Sequence, residues 1–309
     1  MSRIRTIGAA VAGISLALSL TACGADSDPL ADDKNSSAAP GTITVGSANF
    51  AESELLAEIY SQELEAKGVQ VKRQFNIGAR ELYLKALQDG SIDLLPEYNG
   101  ALLAALSTGG VPENISSPTD VLAALKKVLP SGTEVLEQSA AEDKDTLTVT
   151  KATADKYKLT SIEDLKASAP TLKVGAGPEF QERHQGLKGL ESVYGVKFKE
   201  FKALDAGGPL TMKALVDGDI DVGNIFSTDS GIKTNNLVVL QDPKNLYTSQ
   251  NVLPLIRTTA NNTTVSGALN AVSAKLTTEN LTTYLAKVQV DKQDSATVAK
   301  AFLTDNGLL

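Results

Sequence analysis

The sequence predicts two duplicated α/β lobes that close on a shared cleft. Three observations predict it: a self-match at an offset of 128 residues, alternating strand and helix patterns within each copy, and turn residues closing each predicted strand. Lys85-Ala86-Leu87-Gln88-Asp89-Gly90-Ser91-Ile92-Asp93-Leu94 recurs as Lys213-Ala214-Leu215-Val216-Asp217-Gly218-Asp219-Ile220-Asp221-Val222. Near the same offset, Thr42-Ile43-Thr44-Val45-Gly46 echoes Thr171-Leu172-Lys173-Val174-Gly175. Self-similarity on this scale means duplicated lobes, because solenoid repeats are shorter.

The chain opens on an export-type segment. Arg3 and Arg5 precede an apolar run from Ile7 to Leu20, and Leu20-Thr21-Ala22 leads to Cys23, the only cysteine. A charged start, an apolar middle and a small-residue end make a secretory signal over residues 1–22. The run of about 14 residues is short of the roughly 20 that span a bilayer. Small residues directly before a cysteine resemble the bacterial lipobox, which implies lipidation at Cys23. Residues 23–41, rich in Ala, Asp, Ser and Asn, read as a flexible tether.

The predicted elements then follow in order. A strand at Thr42–Gly46 leads to a helix over Glu52–Lys67 with Leu55, Leu56, Ile59 and Leu64 on one face, stopped by Gly68. A strand at Val69–Phe75, a helix at Arg80–Gln88, an Asp89-Gly90 turn and a strand at Ile92–Leu95 complete the copy. Strand and helix alternate as in a largely parallel sheet, whose ligands sit beyond the carboxyl ends of the strands. The site is therefore expected just after Val45, Leu95, Val174 and Val222. Asp89, Asp93, Asp217 and Asp221 recur at helix-turn-strand corners and read as structural.

Composition excludes several functions. Of 29 basic residues, two leave with the signal, so 27 face 37 acidic ones and the exported chain carries about −10, which argues against nucleic acid. One histidine and one cysteine leave no Cys/His pair and no transition-metal cluster to expect. His184, in a polar run, reads as a surface residue. No nucleophile–base pair or phosphate loop marks the strand ends, so binding is expected, with neither catalysis nor a cofactor.

Four blocks carry a family resemblance. Val45-Gly46-Ser47-Ala48-Asn49-Phe50-Ala51-Glu52, Pro96-Glu97-Tyr98-Asn99-Gly100, Gly177-Pro178-Glu179-Phe180 with Arg183, and Phe226-Ser227-Thr228-Asp229 stand in the order of the osmoprotectant-binding proteins of ABC importers. The chain resembles that family from Thr42 to Leu309. The resemblance implies a two-lobe periplasmic-binding-protein fold of type II, with residues 42–143 and 251–309 in one lobe and 144–250 in the other. It also implies hinge closure on glycine betaine, choline, carnitine or a similar solute, and delivery to a permease with its ATPase subunits. The chain would be a monomer, lipid-anchored on the outer face of the cytoplasmic membrane. A sensor lipoprotein without transport would use the same fold.

The family holds a quaternary ammonium in an aromatic box, by attraction of about 0.5–2 kcal/mol per ring. By that resemblance Tyr98 and Phe226, also 128 apart, face each other across the cleft. Arg183 matches the position that binds a ligand carboxylate, with Asn49, Asn99 and Thr228 as further contacts. Four positions depart from the pattern: Asp145 and Gln250 replace expected tyrosines, Ala48 an expected lysine and Ala101 an expected threonine. The altered set suits a polar cation or a planar ring, such as ergothioneine, an amino-acid-like compound or an aromatic one. An alternative register makes residues 142–145 a solvated turn and gives the missing ring to Tyr247. Tyr60 and Tyr83 read as core or surface residues, and Tyr194 as packing near a helix end.

Overall fold

Alternating β-branched residues make Thr42–Gly46 the first strand, β1, and crowding fixes its glycine end, where a Cβ on Gly46 would lie 2.7 Å from Ile92 Cδ1. The computed structural model describes residues 41–111 and 115–309; the export segment, Cys23 and the tether up to residue 40 lie outside them. Strands β2 (Gln70–Gln74) and β3 (Leu94–Tyr98) flank β1 and run parallel to it, and β4 (Thr133–Val135) forms an edge. Strands β5 (Asp145–Thr150), β6 (Lys173–Ala176), β7 (Glu200–Ala203), β8 (Val222–Phe226) and β9 (Leu237–Val239) build a second sheet. Strand β10 (Val252–Arg257) returns to the first.

The sheet orders are β2-β1-β3-β10-β4 and β7-β6-β8-β5-β9. Each is a parallel trio followed by one antiparallel strand and a short edge strand. The duplicated plan expected from the sequence is present, as a two-lobe α/β fold. Its repeated aspartates explain why the motif recurs. Asp93 Oδ2 accepts from Thr44 N at 2.9 Å, and Asp221 Oδ2 accepts from Lys173 N at 2.8 Å. Each side chain thereby fastens the third strand of its trio to the first. The same bond holds Ile92 and Asp93 in the turn, so β3 starts at Leu94, later than the pattern suggested.

Helix α1 (Ala51–Ala66) departs more from its expected form. It is buried nearly all round, because the first sheet covers one side and the helices Thr263–Lys275, Thr278–Gln289 and Ser295–Asp305 cover the other. Its buried acids find partners: Glu58 accepts from Arg73 Nε at 2.8 Å, and Glu63 pairs with Lys67 at 3.0 Å. Helix α2 (Arg80–Asp89) ends on Gly90, whose φ of 82° is a left-handed cap. The second lobe has its own core, built on Leu147, Val149, Leu165, Val174 and Val222. Tyr194 packs there with its hydroxyl on Asp242, and Tyr60 lies in the core of the first lobe.

Two chain crossings, residues 136–144 and 240–251, join the sheets. They run antiparallel at Glu142 and Asn251, with Asp143 N donating to Gln250 O at 3.1 Å and Val252 N to Ala141 O at 3.0 Å. Paired crossings of this kind are a hinge, since a few residues can absorb the rotation of two rigid lobes. No helix among the described residues is long and apolar enough to cross a membrane.

Candidate ligand-binding site

The segments leaving β1, β3, β6 and β8 at their carboxyl ends converge on one cavity of about 60 Å³ between the lobes. Ala48–Phe50, Tyr98 with Ala101, Gly177 with Phe180, and Phe226 are its contributions from those four ends. The crossings add Asp143 and Gln250, and the start of β5 adds Asp145. Parallel strands place their carboxyl ends at one edge, which is why residues far apart in sequence meet here.

One side of the cavity is aromatic. Phe50 links the two rings expected from the sequence, its centroid 5.2 Å from that of Phe226 and 6.2 Å from that of Tyr98. A ring triad therefore replaces the direct pairing of Tyr98 with Phe226. Phe50 stands within the Val45–Glu52 block, which by itself marks no contact for it. Its place immediately after β1, equivalent to the other strand-end positions, was the signal available. Tyr83 is a core residue of the first lobe, as its reading allowed, and also lines the cavity, because α2 lays it against the end of β3. Tyr247 is buried in the second lobe's core and is absent from the wall.

Asp145 sits directly across the strand pair from Phe226, so the sheet presents a carboxyl beside a ring. It is a strand residue on the cavity wall, and Asp143 is buried, so residues 142–145 are not a solvated turn. Burial pushes the Asp145 carboxyl above its ordinary range, while the Asn224 amide and the charges of Arg183 and Arg80 act against that shift. Asn224 Nδ2 donates to Asp145 Oδ1 at 3.1 Å. On the same wall Gln185 Nε2 is buried without a hydrogen-bond partner among the described residues, and the Gln250 amide faces the Asp145 carboxyl. Buried donors are nearly always satisfied in native proteins, so the unpaired Gln185 amide facing a cavity is suited to a ligand acceptor.

Two arginines reach the wall, and both are already held. Arg80 forks onto Glu97, Nε to Oε1 at 2.7 Å and Nη2 to Oε2 at 3.2 Å, with Tyr83 OH and Tyr98 N completing the carboxylate's shell. Arg183, expected to meet a ligand carboxylate, reaches across the cleft and forks onto Glu81 at 3.0 Å through both Nε and Nη2. With Glu81 59 % exposed, that bridge belongs to the class worth about 0.2–1 kcal/mol. It ties the lobes weakly at the cavity's outer edge. His184 next to it is half-buried against Gly110, not on the open surface, since the lobes meet there.

Of the remaining expected contacts, Asn49 stands at the rim and Ala101 on the wall, where it offers no hydroxyl. Asn99 and Thr228 do not line the cavity. Asn99 braces the hinge: its Oδ1 accepts from Asn251 N at 2.9 Å and its Nδ2 donates to Gln138 at 2.9 Å. Thr228 donates from Oγ1 to Glu52 at 2.5 Å and from N to Asp143 at 3.1 Å. No group of three or more metal-ligating side chains occurs among the described residues.

Comparison with known proteins agrees with this architecture. The family described as the substrate binding domain of ABC-type glycine betaine transport systems matches residues 41–305. The glycine betaine-binding protein YehZ of Escherichia coli K12 is 28% identical over 283 residues, covering 87% of this chain and 92% of that protein. The ergothioneine transport permease/ergothioneine binding protein EgtU of Helicobacter pylori is 27% identical over 271 residues, covering 86% of this chain but only 48% of that longer protein. A crystal structure of a glycine betaine/carnitine/choline ABC transporter shares the fold with a TM-score of 0.66 at 21% identity, over 86% of this chain and 99% of that one.

Proposed function

Given that the chain belongs to the family of substrate-binding domains of ABC-type glycine betaine transport systems, we propose that it is the solute-capturing subunit of an importer. Its solute is a small cationic or zwitterionic molecule of the quaternary-ammonium class, taken between the lobes and passed to a permease with its ATPase subunits. The observation that carries this reading is a cavity with two chemically different sides. Phe50, Tyr98 and Phe226 with Asp145 suit the cationic end, and the unpaired amide of Gln185 suits a carboxylate. An ion between ring faces and a carboxylate is held by cation–π and direct charge attraction together.

A ring-bearing zwitterion is a second reading, supported by Asp145 beside Phe226 and by the likeness to the ergothioneine-binding protein. A thermal-shift screen with glycine betaine, choline, carnitine, ergothioneine and basic amino acids separates the two. A solute at 100 times its dissociation constant is expected to stabilise the chain by about 2.7 kcal/mol. A shift with glycine betaine or choline supports the first reading; a shift with ergothioneine alone supports the second. Silence from every member sinks both.

The export-type segment and the small residues before Cys23 support a chain anchored by lipid on the outer face of the cytoplasmic membrane. Cys23→Ala is expected to move the protein from the membrane fraction to the medium and to abolish palmitate labelling. Retention of the unlabelled variant on the membrane would refute the anchor.

A further inference from the structure

Glu52 and Asp143, 2 % and 3 % exposed, are buried acids beside the cavity that meet at Thr228, which is hydrogen-bonded to both. Neither has an ion-pair partner among the described residues. Their surroundings come from every part of the closing device. Tyr98 OH, from β3, donates to Glu52 Oε1 at 2.7 Å, and Thr228 Oγ1, from the far lobe, donates to Glu52 Oε2 at 2.5 Å. Asp143, on the crossing itself, accepts at Oδ1 from Thr228 N at 3.1 Å and from Ser227 Oγ at 3.2 Å. The other charged group facing Glu52 is Asp229, which adds repulsion and no compensation.

Two carboxylates cannot both stay ionised in contact and out of water, so such a pair shares a proton. Glu52 has other donors on both oxygens, whereas Asp143 has donors on Oδ1 only. The shared proton therefore sits on Asp143 and points to Glu52. Burial drives the Asp143 carboxyl well above its usual range and Glu52 in the same direction. Parting the lobes separates Thr228 from Glu52 and admits water, which lets both acids ionise.

We propose that Glu52, Asp143 and Thr228 form a proton-sharing latch between the lobes, so that closure of the cleft takes up a proton. Glu52 is a positioning residue: it meets no solute, but holds the Tyr98 hydroxyl of the aromatic wall and the Thr228 hydroxyl of the approaching lobe together. The closed form binds more protons than the open form. Closure is therefore favoured at low pH and lost as pH rises through the raised pKa of the pair. The inference rests on the reading of solute capture by lobe closure, and its test needs no solute.

The test is a pulsed-EPR distance between nitroxides at Lys85→Cys and Lys233→Cys, one on each lobe, in the full chain carrying Cys23→Ser. The ratio of closed to open molecules is expected to fall as pH rises above the ordinary carboxylate range, by up to about tenfold per pH unit, until the shared proton is lost. Glu52→Gln, which keeps the shape and removes the charge, is expected to abolish that slope, as is Asp143→Asn if the first variant fails to fold by circular dichroism. Thr228→Val is expected to lower the closed fraction at pH 6 while leaving both acids in place. A distribution that ignores pH in the parent, or a Glu52→Gln chain that keeps the parental slope, overturns the latch. The solute screen can fail independently of this result.

Discussion

Tyr98→Ala is expected to lower affinity for the captured solute by about 10- to 100-fold, equivalent to about 1.4–2.8 kcal/mol. The ring is 7 % exposed, lines the cavity, and packs beside Phe50. Its removal deletes one cation–π face, worth about 0.5–2 kcal/mol, and loosens the neighbour that supports Phe226. Tyr98→Phe isolates the hydroxyl, which meets Glu52 and not the solute. That variant is expected to keep most of the affinity while losing about 1–3 kcal/mol of stability, because a buried acceptor goes unmet. Calorimetric titration of both variants with the solute identified by thermal shift decides the matter. Unchanged affinity in a folded Tyr98→Ala chain would remove this ring from the site.

Glu97→Ala is expected to have the largest effect on stability, about 3–5 kcal/mol, read from urea unfolding. Glu97 is fully buried and accepts from Arg80 twice, from Tyr83 OH and from Tyr98 N. Deleting the carboxylate strands the Arg80 guanidinium, itself only 10 % exposed, in a site with little water. The same deletion frees Tyr83 and the backbone of Tyr98, so solute affinity is expected to fall along with stability. Glu97→Gln, which retains acceptor and shape but no charge, is expected to lose less. A loss below about 1 kcal/mol would show that water compensates Arg80, as at exposed ion pairs.

Glu97 also shows where the sequence stops being informative. It stands in the Pro96-Glu97-Tyr98-Asn99-Gly100 block, and the repeat pairs it with Ile225, which bears no charge. Nothing local distinguishes a carboxylate that neutralises an arginine from one that meets a ligand. Nothing local signals the fork of Arg183 onto Glu81 either, 102 positions earlier in the chain. Asn99 and Thr228 were legible as special positions but not as a hinge brace and a latch. Each role depends on a partner more than a hundred residues away.

By itself the sequence determined the duplicated α/β plan, because strand and helix periodicities are local and the two copies repeat the Asp93 and Asp221 fastening. It also determined the edge where the cavity lies, since parallel strands with one connection plan leave their carboxyl ends together. Tertiary structure alone decided which side chains face solute and which face one another. Phe50 joins the rings, α1 loses its solvent face to the C-terminal helices, and Asp143 is withdrawn from water by the far lobe. The reason is physical: backbone preferences are set by near neighbours, whereas burial and pairing of a charge are set by whatever the closed fold brings beside it.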